Sequence, residues 1–295
     1  MTIVQKYLSY LRYEKNYSSH TEISYSKDLS QFEYFLNNHA EGTPLMDIDS
    51  DIVRLWIARL IEEGITPRSV NRKLSSLKSF YRFLVKTGEI KSNPLNKVTG
   101  PKSSKPLPSF VTDNDMEHLL DNEEVIQDDF EEYRNHTILE LFYMTGMRRA
   151  ELIGLKDSDI DLSSDVIRVT GKRNKQRLIP FSSGTKAIIE NYIGERNKYT
   201  ENQSGYFFVK KDGCPLYPML VYRIIHNSLK SIPTLSKASP HILRHSFATS
   251  MLNNGAELNA VKELLGHSSL ASTEIYTHTS FEELKKIYKK AHPRA

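Results

Sequence analysis

The sequence has almost no cysteine, no long apolar run and almost no net charge, and each lack removes a class of protein. Cys214 is the single cysteine of the 295 residues, so no internal disulfide can form, and no CxxC pair offers a zinc site. A reducing, cytoplasmic compartment is the expectation. No uncharged apolar stretch is long enough to span a bilayer, and the opening MTIVQKYLSYLRYEK lacks the apolar centre of a signal peptide. Neither membrane insertion nor secretion is expected. Gly171-Lys172 stands alone without the rest of a P-loop, no GxGxxG opens a helix, and there is no GxSxG elbow. His241 and His245 have the spacing of a zinc-binding pair, but Ile242 stands where a metalloprotease carries its glutamate. The residues therefore point to no metal and no cofactor.

The net charge of +4 conceals a polarised chain. Residues 68–105 hold ten Lys or Arg (Arg68, Arg72, Lys73, Lys78, Arg82, Lys86, Lys91, Lys97, Lys102, Lys105) against one acid, Glu89. Residues 112–133 hold ten acids and no Lys or Arg. A chain that tracks a nucleic-acid backbone shows itself by such distribution rather than by its total, although two solvated helical faces would look alike.

Length favours two domains. Apolar periodicity places helices over 21–38, 51–63 and 67–86. The third carries Val70, Leu74, Leu77, Phe80, Tyr81 and Leu84 on one side, with Arg68, Arg72, Lys78, Arg82 and Lys86 opposite. One face packs, and the other is free to meet phosphates, where counterion release rewards contact. Between Gly100 and Ser109 stand three prolines, a glycine and three serines, so no regular element should cross a linker at 99–110. This sets a first domain at 1–98 and a second at 111–295. In the second, helices are expected at 112–120, 135–145, 184–193, 218–229, 240–253, 258–265 and 281–290, with a hairpin of 166–170 and 177–180 around GKRNKQ. The class is mainly α with a small β-sheet, not an alternating βα fold.

Arginine and histidine cluster in three segments, Arg148 to Glu151, His241 to His245 and His267, followed by Tyr276. Pro240 suits a first helical position, so His241 and Arg244 share a face near a positively polarised helix start. Arg244 and Arg148 could grip two oxygens of one phosphate, because a guanidinium donates two parallel hydrogen bonds. Such a pair would stabilise the charge of a pentacoordinate transition state. Glu151, three residues after Arg148, could orient it through an ion pair; a plain surface pair has the same spacing. Each residue alone is more often structural than catalytic, and Tyr276 is one of sixteen tyrosines. The joint occurrence is what counts.

The segments YMTGMRRAELIGL (143–155), VTGKRNKQRLIP (169–180), SPHILRHSFAT (239–249), LLGHSSLASTEIYTH (264–278) and the terminal AHPRA resemble, in order and spacing, the motif series of tyrosine recombinases, most closely the Xer type. YSSHTEISYSKDLSQFEYFL and SVNRKLSSLKSFYRFLVKTGEIKSNP resemble that family's core-binding domain, so the likeness covers nearly the whole chain. It implies a four-helix, SAM-like, DNA-clamping first domain and a mainly helical catalytic second domain. It further implies that Arg148 and Arg244 are the catalytic arginines, Lys172 the hairpin lysine, His241 and His267 the remaining pocket residues and Tyr276 the nucleophile. Phosphodiester cleavage needs a nucleophile, cations about the phosphorus and a proton donor for the departing 5′ oxygen, which Lys172 can supply. Lys175 occupies the same loop, and the residues alone barely separate the two. His267 would bond a phosphate oxygen, and His241 would assist the tyrosine's deprotonation or hold Arg244.

Two departures from the family pattern add charge: Arg149 follows Arg148, and Arg173 replaces a glycine of the hairpin. Arg149 blurs which arginine faces the phosphate; Arg173 and Lys175 join the expected DNA contacts. The amphipathic tail with Phe281, Leu284, Ile287 and Tyr288 is expected, by the resemblance, to dock on a neighbouring protomer, the alternative being its own domain. The implied partners are double-stranded DNA bearing recombination sites, a homo- or hetero-tetramer on that DNA, a second Xer-type recombinase and a septal DNA translocase. The rival readings are an integrase or DNA invertase of a mobile element, a type IB topoisomerase-like enzyme, and a non-catalytic DNA-binding protein.

Overall fold

The computed structural model describes residues 1–103, 110–121, 129–171, 174–201, 204–233, 235, 238–266 and 278–294, apart from the side chains of 278–280. The chain divides into two compact units, Met1–Pro106 and Leu107–Ala295. Both are mainly helical, and the described strands form one three-stranded antiparallel sheet in the second.

Among its described residues the first unit has four α-helices, α1 (Ile3–Ser9), α2 (Ser19–His39), α3 (Ser50–Glu62) and α4 (Pro67–Lys86). Short polar caps fix their starts: Ser18, Asp49 and Thr66 each accept a backbone N–H of the first turn, and Pro67 supplies a preset φ. Helix α1, which periodicity did not mark, runs into a π-helical turn at Tyr10–Glu14. It is too short to show a period, yet Tyr7 is wholly buried, with its ring 5.2 Å from Phe80. The six apolar residues expected on one side of α4 are all buried. Beneath its charged side lies a polar knot. Asp28, 1 % exposed, takes both guanidinium nitrogens of Arg72 and, at 3.2 Å, the ammonium of the buried Lys73, which also reaches Gln31.

The second unit contains α5 (Asp113–Asp121), α6 (Phe130–Thr145), the short α7 (Arg149–Ile153), strands β1 (Ile160–Asp161), β2 (Val166–Thr170) and β3 (Gln176–Pro180), then α8 (Ser183–Tyr199), α9 (Pro218–Leu229), α10 (Pro240–Asn253), α11 (Leu258–Leu265) and α12 (His278–Ala291). Two helices outrun their apolar pattern. Asp129 caps α6 five residues before the expected start, and α8 continues to Tyr199, where Arg196, 4 % exposed, bonds Asp157 and the Phe207 carbonyl.

Within this single chain α12 packs on its own unit: Leu284 and Tyr288 are buried in the core, and the Tyr288 hydroxyl donates to the Met144 carbonyl at 3.1 Å. His292 lies between the rings of Tyr143, Phe247 and Tyr288, and burial pushes its pKa down to about 4. Arg294 closes the contact on Asp121. The apolar stripe seen in the sequence is the same stripe for either partner; within one chain its own unit covers it and buries a full aromatic side chain.

Among the described residues no helix is long and apolar enough to cross a membrane, and no three His, Cys, Asp or Glu side chains gather as metal ligands.

Candidate active site

Helices α6 and α11 end in the same way. Each stops at a glycine in the left-handed region, Gly146 at φ 57° and Gly266 at φ 65°, which leaves the last carbonyls without a partner in the helix. A side chain is barred at both. A Cβ on Gly146 would come within 2.6 Å of the Phe247 ring, and one on Gly266 within 3.1 Å of the Arg177 guanidinium.

These carbonyl ends carry partial negative charge and draw in cations. Arg244, one turn into α10, donates to the Gly146 carbonyl at 2.7 Å and to the Leu265 carbonyl at 2.6 Å. Arg148, immediately before α7, reaches the Gly266 carbonyl at 3.4 Å. Two guanidiniums from distant parts of the chain are thus set over the end of α11, and Arg244 also holds that of α6. Their proximity registers in acidity: burial first, then the charge of Arg148, lowers the Arg244 pKa to about 10, which leaves it protonated at neutral pH.

Glu151 holds Arg148 in place. One carboxylate oxygen accepts the Arg148 side chain at 2.8 Å and the other accepts the Arg148 backbone N–H at 2.8 Å. The ion pair expected from the spacing is therefore present, and it is no surface pair, since the Glu151 side chain is 4 % exposed. Burial works to raise this carboxyl, but the hydrogen bonds and charge of Arg177, with those of Arg148 behind them, hold it below the usual carboxylate range. Of the adjacent arginines, Arg148 is the one tied to Glu151; Arg149 is exposed and bonds the Pro218 carbonyl at 3.3 Å.

Sequence reasoning did not single out Arg177. Its side chain is 6 % exposed and donates to both oxygens of Glu151, at 3.1 and 2.9 Å, and to the Leu264 carbonyl at 2.7 Å. The signal was in the hairpin: Arg177 pairs with the buried Val169, and directly opposed residues of an antiparallel pair face the same side.

The other expected site residues separate into two groups. His241 is exposed on the first turn of α10, and Lys175 is exposed at the hairpin tip, where its carbonyl accepts the Gly171 N–H at 2.7 Å. Lys172, Arg173, His267 and Tyr276 lie outside the described residues. On the basic side of α4, Lys78 donates to the Val98 carbonyl at 2.7 Å, Arg82 to the Lys78 carbonyl at 3.2 Å, and Lys86 pairs with Glu14 at 3.3 Å; Arg72 is held by Asp28, and Arg68 is exposed.

Arg148 and Arg177 on one carboxylate, with Arg244 on the ends of two helices beside them, form an anion site of the kind a phosphate occupies. Residues 109–283 match the phage integrase family, and residues 4–88 match its N-terminal SAM-like domain. The chain is an Xer-type tyrosine recombinase of the phage integrase family. The tyrosine recombinase XerC of Chlorobaculum parvum is 40 % identical over 99 % of this chain and 94 % of its own length. That of Bacillus licheniformis is 38 % identical over 98 % and 95 %. This recombinase also shares its fold with the XerH recombinase bound to a palindromic difH substrate, with a TM-score of 0.73 and 22 % identity over 96 % of this chain and 83 % of that one. The Tn1549 transposon integrase in complex with transposon right end DNA gives a TM-score of 0.72 and 21 % identity over 97 % and 99 %. As a member of this family it is an enzyme that cleaves and rejoins DNA.

Proposed function

We propose that this recombinase attacks a DNA phosphate with Tyr276 and holds the cut strand as a 3′-phosphotyrosyl ester until a second strand replaces it. The observation that carries the reading is the convergence of Arg148 and Arg244 on the carbonyl end of α11, directly before the sequence that contains His267 and Tyr276. The two guanidiniums take the nonbridging oxygens and stabilise the charge that grows on them as the phosphorus becomes pentacoordinate. A new bond forms from the tyrosine oxygen to phosphorus, and the bond to the 5′ oxygen breaks. Lys172 protonates that oxygen, His267 bonds the phosphate, and His241 assists the tyrosine's deprotonation or supports Arg244. The ester conserves the energy of the original bond, so the reverse attack by a 5′ hydroxyl reseals the strand without ATP.

Arg68, Arg72, Lys78, Arg82 and Lys86 on α4, with Arg173 and Lys175 on the hairpin, are the proposed backbone contacts to duplex DNA. The working assembly is a tetramer on paired sites, homomeric or with a second Xer-type recombinase. Its role in the cytoplasm is the resolution of chromosome dimers, in concert with a septal DNA translocase. Relatives named XerC at about 40 % identity over almost the full chain support this role over integration or inversion of a mobile element.

A nicked suicide substrate tests the chemistry. The native chain should accumulate a covalent protein–DNA adduct, and Tyr276→Phe should give none while still shifting the DNA in a gel. Adduct from the phenylalanine variant would remove Tyr276 from its role. Native protein that binds but never forms adduct would favour a non-catalytic DNA-binding protein, and relaxation of plasmids lacking paired sites would favour a topoisomerase.

A further inference from the structure

Burying a guanidinium costs several kcal/mol unless its donors are met, so an arginine on the inner side of a short hairpin needs a reason. Arg177 meets that cost with a fork-to-fork pair on Glu151 and a third bond from Nε to the Leu264 carbonyl. Two glycines leave room for the pair. A Cβ on Gly171 would stand 3.2 Å from Oε1 of Glu151, and one on Gly266 would stand 3.1 to 3.4 Å from the Arg177 side chain.

Three parts of the site meet at this side chain. Glu151 shares each of its oxygens between Arg177 and Arg148, so whatever turns the carboxylate turns the Arg148 guanidinium with it. Leu264 and Gly266 lie at the end of α11, immediately before position 267. Strand β3 is the returning arm of the hairpin whose outgoing arm leads to Lys172. Arg177 touches neither helix-end carbonyl that Arg244 uses, yet its charge is close enough to depress the Arg244 pKa.

We propose that Arg177 is a positioning residue of the strand-transfer reaction: through Glu151 it sets the guanidinium of Arg148, and through the Leu264 carbonyl it ties the hairpin to the end of α11. The inference rests on the reading of Arg148 as a phosphate-binding group. Lysine cannot replace it, because an ammonium cannot span both carboxylate oxygens in one plane while also holding a carbonyl behind them. The competing account makes Arg177 a structural rivet between β3 and α7.

Single-turnover adduct formation on the nicked substrate, by the full chain at saturating protein, separates the two accounts when gel-shift affinity and thermal melting are measured beside it. Arg177→Met should slow adduct formation about a hundredfold, the order of loss from an ångström-scale misplacement of a reacting group, with DNA affinity changed less than about threefold. Arg177→Lys should recover little of the rate. In an Arg148→Lys background, Arg177→Met should add about tenfold or less, well short of the product, since the part of its effect that passes through Arg148 is already lost while the tie to Leu264 remains to be lost. A structural rivet predicts instead losses that multiply in the double variant, or a lowered melting temperature at unchanged rate, and either result overturns the proposal. If Arg177→Met does not fold, Glu151→Gln keeps the shape and Arg177 while weakening both pairs, and the same non-additivity with Arg148→Lys is required of it. A native chain without adduct activity would sink the phosphate-binding reading itself, and this role with it.

Discussion

The positive charge on α4 and the positive charge around Glu151 are built in opposite ways. Along α4 most of the cations stand at the solvent boundary, Arg72, Lys78, Arg82 and Lys86 each with a local partner, and Asp28 with Lys73 is buried beneath them. Around Glu151 the helices present carbonyls rather than side chains, and the cations arrive from α7, β3 and α10 to meet them. The first arrangement is a property of one helix and tolerates movement. The second exists only when four distant segments are folded together, and it fixes its guanidiniums to within a hydrogen bond, as differential stabilisation of a transition state requires.

The difference should appear most strongly in rate. Arg244→Ala removes a group held by two carbonyls and is expected to lower single-turnover adduct formation by about a thousandfold, in the range of losing one preorganised donor to a developing oxyanion. Affinity for intact DNA should fall by less than about tenfold, because many phosphates share the binding. Equal losses in rate and affinity would show that Arg244 binds DNA in general rather than the transition state.

A second expectation reverses the roles of the two regions, since α4 has its own buried centre. Asp28→Asn leaves the ammonium of Lys73, whose side chain is 9 % exposed, without its carboxylate, and breaking one side of a buried pair costs about 3 kcal/mol or more. Urea denaturation followed through Trp56, which lies in this unit's core, should register the loss, while adduct formation at saturating protein stays near native. Arg72 adds little to that figure, being 47 % exposed and open to solvent screening. An unchanged urea midpoint would mean that the knot contributes nothing, and that α4 differs from the arginine site less than its burial implies.

How much of this was legible beforehand follows the same divide. The span Pro67–Lys86 and its buried side were readable because they repeat along one helix, and so were the ends of α9, α10 and α11, where proline or glycine marks the boundary. Helix α1 escaped because seven residues give no period, and the early start of α6 escaped because Asp129 lies in an acidic run that reads as surface. In the site, the Arg148–Glu151 pair was visible in its spacing, but its burial was not, because that depends on Arg177, 26 residues further on. The contact α12 makes within its own unit was the least legible of all. An amphipathic stripe specifies that something covers it, and the Tyr288 contact with Met144, 144 residues away, leaves no trace in local pattern.

The smallest expected effect probes the surface of α4 itself, where the sequence offers five equivalent cations and the structure makes them unequal. Arg68 is exposed and, among the described residues, has no hydrogen bond or ion pair, whereas Arg72 is clamped by Asp28 and Ser24. A free guanidinium can turn fully to a phosphate; a clamped one must share or give up a carboxylate. Arg68→Ala should therefore weaken DNA binding by a few-fold and reduce the slope of log affinity against log salt by about 1, the value of one released phosphate contact. Arg72→Ala should change that slope by less while lowering the urea midpoint of the first unit. The measurement is a salt titration of binding for both variants and the native chain. Equal slopes for the two variants would mean that Arg72 leaves Asp28 when DNA arrives, and the difference between a fixed and a free cation would then belong to the DNA-free protein alone.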